Sequence, residues 1–203
     1  MRSSADLSLD DLPVLVTSAN VLVGYAARPP SSTSVLLPGS FNPVHAGHWE
    51  LAAAAAKLLD RPIVFELSVA NVDKPELSLD EVQRRIAPFV GRAGVWITRA
   101  PRFTHKAELF PGATFIVGAD TALRLMQPRY YDDDEAKLLG ALESLRGCRF
   151  LVAARADASG QLLTLADLSI PDAYRDLFTD IPAEVFRCDV SSAQLRLPKT
   201  DEC

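Results

Sequence analysis

The chain has few cysteines and no motif that pairs them. Its 203 residues include three, Cys148, Cys188 and Cys203, without a CxxC spacing. This scarcity argues against a disulfide framework and a zinc ribbon, and it is typical of a reducing compartment. We therefore expect buried or incidental thiols in a cytoplasmic protein.

A long hydrophobic run is missing as well. The nearest candidate, residues 12–27, is interrupted by Pro13 and Asn20, and it falls short of the roughly 20 apolar residues that span a bilayer. Asp6, Asp10 and Asp11 precede it, which is not the pattern of a secretory signal. The sequence predicts no membrane partner.

The chain also lacks an excess of basic residues. It carries 21 Lys and Arg against 26 Asp and Glu, for a net charge of −5. Binding to a nucleic-acid backbone requires a basic face, so we expect no nucleic-acid partner. A small anionic ligand held by a few placed groups stays compatible with this charge.

Residues 34–203 alternate between short apolar runs and helical stretches, and hydrophobic residues make up 48% of the chain. Such alternation is typical of βα units around a parallel sheet. Strands are predicted over residues 35–37, 62–68, 95–98, 114–117, 149–154 and 185–187. Helices are predicted over residues 46–59, after a capping box at residues 78–81, and over residues 119–125 and 134–145. The predicted fold is one α/β domain, a Rossmann-like doubly wound parallel sheet.

Residues 1–33 have a different composition and are expected to form an N-terminal appendage. Their Leu- and Val-rich part predicts a helix, and the Arg28–Thr33 stretch, rich in Pro and Ser, predicts a linker. The sequence does not show what this segment does.

The loop after the first predicted strand carries the clearest functional signal, Gly39-Ser40-Phe41-Asn42-Pro43-Val44-His45-Ala46-Gly47-His48. It lies where open parallel sheets bind ligands, at the carboxyl end of a strand and the start of a helix. The helix start offers unpaired N–H groups to an anion, and glycine lets the backbone approach a phosphate. His45 and His48, three residues apart, can face one ligand.

Other interpretations of this loop have less support in the sequence. It has neither a GK[ST] nor a GxGxxG pattern, which excludes the two commonest phosphate loops. A zinc site would need a third ligand at a suitable spacing, and the only other histidine is His105. Two incidental histidines are the simplest alternative.

The loop resembles the GxFxPxHxGH signature of the nucleotidyltransferase superfamily, which includes enzymes acting on nicotinamide mononucleotide, phosphopantetheine and glycerol phosphate. A late ISSTxxR-type segment of that superfamily is matched by Val190-Ser191-Ser192-Ala193-Gln194-Leu195-Arg196, with alanine in place of threonine. The resemblance covers residues 34–196. The chain stops seven residues after Arg196, so we expect the family's C-terminal helix to be short or missing.

The middle of the chain is similar to nicotinamide- and nicotinate-mononucleotide adenylyltransferases, and to a divergent branch of them. The resemblance lies in the Gly118-Ala119-Asp120 strand end, the Asn71-Val72-Asp73-Lys74-Pro75 loop, the following Gln83-Arg84-Arg85 helix and the segment around Lys106. It implies transfer of AMP from ATP, with Mg²⁺, to one of these mononucleotides, giving a dinucleotide and pyrophosphate.

The resemblance also implies roles for individual residues. His45, His48 and Arg196 would be catalytic, and phosphates would be bound by Gly39, Ser40, Phe41, Lys106, Ser191 and Ser192. The nucleoside parts or the acceptor would contact Asn71, Lys74, Arg84, Gly118 and Asp120. No protein metal ligand is predicted, because Mg²⁺ would be held mostly by phosphate oxygens and water.

Simpler roles compete for some of these side chains. Asp120 could cap a helix, Lys74 and Lys106 could be surface lysines, and Arg84 could lie on an exposed helix face. Among activities, the alternatives are another phosphate acceptor or CTP as donor, a nucleotide-binding module with little catalysis, and a hydrolase. The oligomeric state and the preference between the amide and acid mononucleotides cannot be inferred.

Overall fold

The computed structural model describes residues 2–25, 34–72, 75–156 and 161–186. Its strands are β1 (Val14–Val16), β2 (Leu22–Gly24), β3 (Val35–Pro38), β4 (Ile63–Ser68), β5 (Val95–Thr98), β6 (Thr114–Gly118), β7 (Arg149–Ala153), β8 (Arg155–Ala156), β9 (Leu162–Leu163) and β10 (Phe178–Ile181). Its α-helices are α1 (Ala46–Leu59), α2 (Leu79–Ile86), α3 (Phe103–Leu109), α4 (Ala119–Leu125) and α5 (Glu135–Ser144). Short 3₁₀ turns connect several of them.

Eight of the described strands form one sheet in the order β10-β7-β6-β3-β4-β5-β1-β2. The strands from β10 to β5 are parallel, and β1 pairs antiparallel with both β5 and β2. β8 and β9 form a separate antiparallel hairpin. The predicted α/β Rossmann-like fold with a mostly parallel sheet is therefore confirmed.

Side chains on the two faces of the sheet form two hydrophobic cores. In β6, Phe115 and Val117 belong to the core that includes residues of α3, α4 and α5, whereas Ile116 belongs to the core that includes residues of α1 and α2. This alternation is what a central strand with both faces covered requires. The sheet is thus buried on both faces, and a ligand site is expected at the edge where its parallel strands end.

Strand order reverses between β3 and β6. These two strands are neighbours, but the chain first adds β4 and β5 on one side of β3 before it crosses to β6. Ligands of open α/β sheets bind outside the carboxyl ends of the strands at such a switch point. The loop after β3, which starts with Gly39, begins there, and so does α4, which directly follows Gly118 at the end of β6.

The predicted helix within residues 1–33 is wrong for the described part, residues 2–25. Val14–Val16 and Leu22–Gly24 are strands, and the first of them pairs with Val95–Ile97 of β5. Val14, Leu15 and Val16 are buried. Pairing with the distant β5 decides this structure, which local composition does not reveal.

Two further predictions need correction. The sixth strand is Phe178–Ile181 instead of residues 185–187, since Val185 and Phe186 lie in or beside a turn and Arg187 is outside the described residues. Helix α3 was not predicted, because its seven residues are too few for a clear helical period.

Candidate active site at the carboxyl edge of the sheet

Two histidines lie at the start of α1, directly after the loop that follows β3. His45 is the N-cap residue, and His48 lies in the first turn with its ring centroid 3.8 Å from that of His45. Nδ1 of His48 accepts a hydrogen bond from the backbone N–H of His45, at 3.2 Å. A neutral imidazole has a single N–H, so this bond leaves the proton of His48 on Nε2, available to a ligand.

His45 has hydrogen-bonding groups that no described residue satisfies. Its Nδ1 and Nε2 atoms are both buried and have no partner there. Buried polar atoms without partners are costly, and they mark places where a ligand completes the bonding. His45 lies at the N-terminus of the 14-residue helix α1, where the unpaired backbone N–H groups of the first turn favour negative charge. This end of α1 is therefore suited to an anion with several oxygens.

Both imidazoles are held in the neutral form. Burial, with smaller contributions from the charges of His45 and Arg155, lowers the pKa of His48 from 6.5 to about 3. Burial and then Arg155 also lower the pKa of His45. Near pH 7 the pair thus acts through neutral N–H groups, and fixed positive charge has to come from arginine.

The loop between β3 and α1 is shaped by Gly39 and Phe41. A Cβ atom on Gly39 would lie 2.5 Å from Cε1 of Phe41, so only glycine leaves room for the ring. Phe41 has a φ of +44°, and its ring is 1% exposed, with its centroid 5.2 Å from that of His48. Phe41 is a core residue beneath the histidines, and a phosphate could meet only its main chain.

Helix α2 holds the same loop from the other side. Arg85 donates to the carbonyl oxygen of Ser40 at 2.9 Å and to Glu81 at 2.7 Å. Arg84 donates to Glu81 and, at 2.7 Å, to Oδ1 of Asn42. The predicted ligand contact of Arg84 is thus replaced in this structure by a clamp on the loop, with Glu81 shared between the two arginines.

A second glycine lies at the end of β6. A Cβ on Gly118 would lie 2.6 Å from Oδ1 of Asp120 and 3.4 Å from Cδ of Arg155. Oδ1 of Asp120 lies 3.5 Å from Nη1 of Arg155 and has no hydrogen-bond partner among the described residues. Gly118 and Asp120 therefore lie together with Arg155, an arginine that the sequence analysis did not single out.

Lys106 differs from its predicted role as a phosphate-binding cation. It is 5% exposed, and its ammonium donates to both oxygens of Glu66, at 2.8 and 2.7 Å, and to the carbonyl of Ala100 at 2.7 Å. Glu66 is 0% exposed and also accepts a hydrogen bond from Thr98. All three ammonium hydrogens are used, so Lys106 ties α3 to β4 in the interior.

Two adjoining cavities extend from the loop after β3. The first has a volume of about 280 Å³ and is lined by Gly39, Ser40, Asn42 and Arg85, with Lys106 and Glu66 contributing to its wall. The second, of about 380 Å³, lies beyond it and is lined by aromatic and cationic side chains, including Phe103, Arg102, Arg124, Tyr130 and Tyr131. Asn71, Pro101, Phe103 and Thr121 line both. Asn71, for which an acceptor contact is predicted, is thus a lining residue of both cavities.

Four predicted site residues, Lys74, Ser191, Ser192 and Arg196, lie outside the described residues. Two arginines of the site, Arg85 and Arg155, are additions. Arg85 is adjacent to Arg84 in sequence, and helical position alone does not show which of the two faces the loop. Arg155 follows directly after a predicted strand, and that position at the carboxyl edge was the available signal.

The described residues contain neither a group of side chains that could hold a metal nor a helix that could cross a membrane. No three His, Cys, Asp or Glu side chains in this part of the chain lie together as a metal site. No helix within it has the length and apolar character needed to cross a membrane.

Comparison with known proteins gives one result that bears on this site. The family model described as cytidylyltransferase-like matches residues 36–196. The matched region begins in β3, includes the loop with both histidines, and ends at Arg196 after the described residues. A search of the curated proteins found no match.

Proposed function

The chain belongs to the cytidylyltransferase-like family of nucleotidyltransferases, and we propose that it transfers the AMP group of ATP to nicotinamide mononucleotide or nicotinate mononucleotide. A phosphate oxygen of the acceptor attacks the α-phosphorus of ATP. The bond from that phosphorus to the oxygen bridging to the β-phosphate breaks, and pyrophosphate leaves. Phosphate is already a nucleophile, so catalysis depends on positioning and on stabilising charge.

The observation that carries this proposal is the bonding state of the histidine pair. His48 presents an Nε2 proton fixed by the bond at Nδ1, and both ring nitrogens of His45 lack partners among the described residues. Donors placed where phosphate charge develops are what an in-line transfer requires. The first turn of α1 adds backbone N–H groups at the same point.

The two cavities supply room for the acceptor beside this pair. The smaller one adjoins the loop at Ser40 and Asn42, and the larger continues to Tyr130 and Tyr131. Aromatic side chains and arginines suit a flat heterocycle linked to a phosphorylated ribose. Asn71 and Thr121 line both cavities and can contact groups on the acceptor.

Mg²⁺ would enter with the triphosphate and neutralise part of its charge. The protein groups meanwhile orient the phosphates and exclude water from them.

The proposal is tested by measuring pyrophosphate release with ATP or CTP as donor and nicotinamide mononucleotide, nicotinate mononucleotide or phosphopantetheine as acceptor. His48→Asn retains an acceptor near Nδ1 but loses the Nε2 donor, and we expect turnover to fall by about 10²-fold or more. His48→Gln places an amide near Nε2 and should retain part of the activity. His105→Gln, an exposed histidine on α3, is the control and should match wild type.

Each alternative predicts a different result. Release with phosphopantetheine or CTP alone would move the chain to another acceptor or donor. ATP binding without pyrophosphate release from any pair would favour a binding module. Near-normal turnover in His48→Asn would contradict the assigned role of the histidine.

A further inference from the structure

Arg155 lies at the same sheet edge as the histidine loop. It is the second residue after β7, whose last residue, Ala153, is the register partner of Gly118 in β6. β6 is the neighbour of β3. Because these strands are parallel, the residues that follow them meet at one edge.

The guanidinium of Arg155 is held there but is not saturated. It lies above Gly118, where a Cβ would be 3.6 Å from Nη1. Its one ion pair within the described part of the chain is with Asp120, at 3.5 Å, which is long for a hydrogen bond. An arginine has five N–H donors in a planar fork, so most of this donor capacity stays available to an anion.

The groups around Arg155 also lack partners. Oδ1 of Asp120 and both ring nitrogens of His45 are buried without a hydrogen bond from any described residue. The charge of Arg155 reaches both imidazoles, since it contributes to the lowered pKa of His45 and of His48. Neutral histidines provide N–H groups but no net charge for a phosphate.

We propose that Arg155 is a phosphate-binding residue of this site, supplying the fixed positive charge beside His45 and His48. Its fork would hold oxygens of the nucleotide phosphates, and Asp120 would keep the guanidinium oriented before the anion arrives. This inference rests on the proposed function for the identity of the anion, a nucleoside triphosphate or the pyrophosphate that leaves. The binding role itself does not require that transfer occurs.

Calorimetric titration with inorganic pyrophosphate and with ATP tests the proposal on the full chain. Arg155→Gln should weaken pyrophosphate binding by about 10-fold or more, as expected for loss of charged hydrogen bonds. Arg155→Lys keeps the charge without the fork and should bind with intermediate affinity. Arg149→Gln removes the same charge from the other end of β7, where Arg149 bonds to carbonyls of Arg146 and Cys148, and should match wild type.

A second readout separates ligand binding from a merely structural role. In NMR titrations of the free protein, Arg155→Gln should raise the pKa of His45 and His48, whereas Arg149→Gln should not. Pyrophosphate affinity in Arg155→Gln within twofold of wild type would overturn the proposal. So would a wild-type chain that binds neither pyrophosphate nor ATP.

The outcome also distinguishes this proposal from the proposed function. Arg155-dependent pyrophosphate binding in a chain that transfers no nucleotide would support the binding site and reject the reaction. Normal nucleotide transfer with unchanged binding in Arg155→Gln would support the reaction and reject the role of Arg155.

Discussion

The loop after β3 and the junction between β6 and α4 both depend on a glycine, but for different purposes. In each, a glycine at the strand end leaves room for a side chain two residues later, Phe41 at 2.5 Å from a Cβ on Gly39 and Asp120 at 2.6 Å from a Cβ on Gly118. In the first of these two places, the side chain is an aromatic ring buried in the core. In the second it is a carboxylate beside an arginine.

The difference shows how one sheet edge combines rigidity with binding capacity. The ring of Phe41 packs against Phe65 and Phe89 and cannot move without disturbing the core. Oδ1 of Asp120 has no hydrogen-bond partner among the described residues, so the carboxylate can rotate without breaking a hydrogen bond at that atom. The loop after β3 therefore fixes the histidines, and the junction between β6 and α4 presents groups that can rearrange around a ligand.

The largest effect is expected for Gly39→Ala. The added methyl would meet a buried ring that has no free space, so we expect stability to fall by about 3 kcal/mol, as for an overpacked core. The free energy of unfolding is measured by chemical denaturation, and the variant and wild type should have equal m-values for the comparison to be valid. Gly140→Ala, a helical glycine with open space around its Cβ, is the control and should be neutral or stabilising. A loss below 1 kcal/mol in Gly39→Ala, an estimate on the same overpacking scale, would show that the loop is not rigid.

A pH dependence should follow from the loop after β3. The unfolded chain protonates His48 with a pKa of 6.5, but the folded chain does so only at about 3. The stabilisation that comes from keeping His48 neutral is therefore present above pH 6.5, and it is lost as the pH decreases toward 3. Because of His48, the free energy of unfolding should fall by about 2 kcal/mol between pH 7 and pH 5.

The test of this pH dependence compares wild type with His48→Asn by denaturation at both pH values. The window lies above the ordinary pKa of carboxyl groups, so their titration contributes little. The variant should lose clearly less stability than wild type on acidification. Equal losses in the two proteins would contradict a neutral, buried His48.

Gly118→Ala should affect binding more than stability. Its new methyl meets the end of the Asp120 side chain, which can rotate away, so we expect a stability loss of no more than about 1 kcal/mol. That rotation would displace Asp120 and the Arg155 side chain near it. ATP affinity measured by calorimetry should fall, while Gly39→Ala should show the reverse balance of effects. A large stability loss with unchanged affinity would contradict the contrast between the loop after β3 and the junction between β6 and α4.

The smallest effect is expected for Arg85→Lys. Lysine retains the charge but cannot bond Glu81 and Ser40 together as the planar fork does, so the stability should fall by about 1 kcal/mol or less. We expect a severalfold lower kcat with little change in KM, because the loop carrying the histidines is less well held. Arg84→Lys, at a more exposed position, should have a smaller effect. Equal and negligible effects would remove the positioning role of the clamp.

Local patterns predicted the elements that do not depend on distant partners. The bounds of α1, α4 and β5 agree with the prediction, because an alanine-rich run and apolar runs specify them locally. The sequence did not indicate β1 and β2, because β1 pairs with β5, about 80 positions away in sequence, and β2 pairs with β1. Such sheet pairing overrides local preference.

The site was predicted unevenly for the same reason. The histidine loop is contiguous, so its motif indicates the chemistry directly. Lys106 carries a charge that suits phosphate, but its partner Glu66 is 40 residues away and removes it from the surface. Arg155 was not predicted, since its proximity to Asp120 arises only from the register of β6 and β7.

The proposed reaction transfers the AMP group of ATP to a mononucleotide. The most direct measurement follows ATP labelled at the α-phosphorus, incubated with Mg²⁺ and nicotinamide or nicotinate mononucleotide. We expect the label to enter a dinucleotide, label at the γ-phosphorus to leave in pyrophosphate, and His48→Asn to slow both transfers by about 10²-fold or more. Label recovered only in free AMP or ADP, or remaining in ATP with each acceptor, would contradict the proposed reaction.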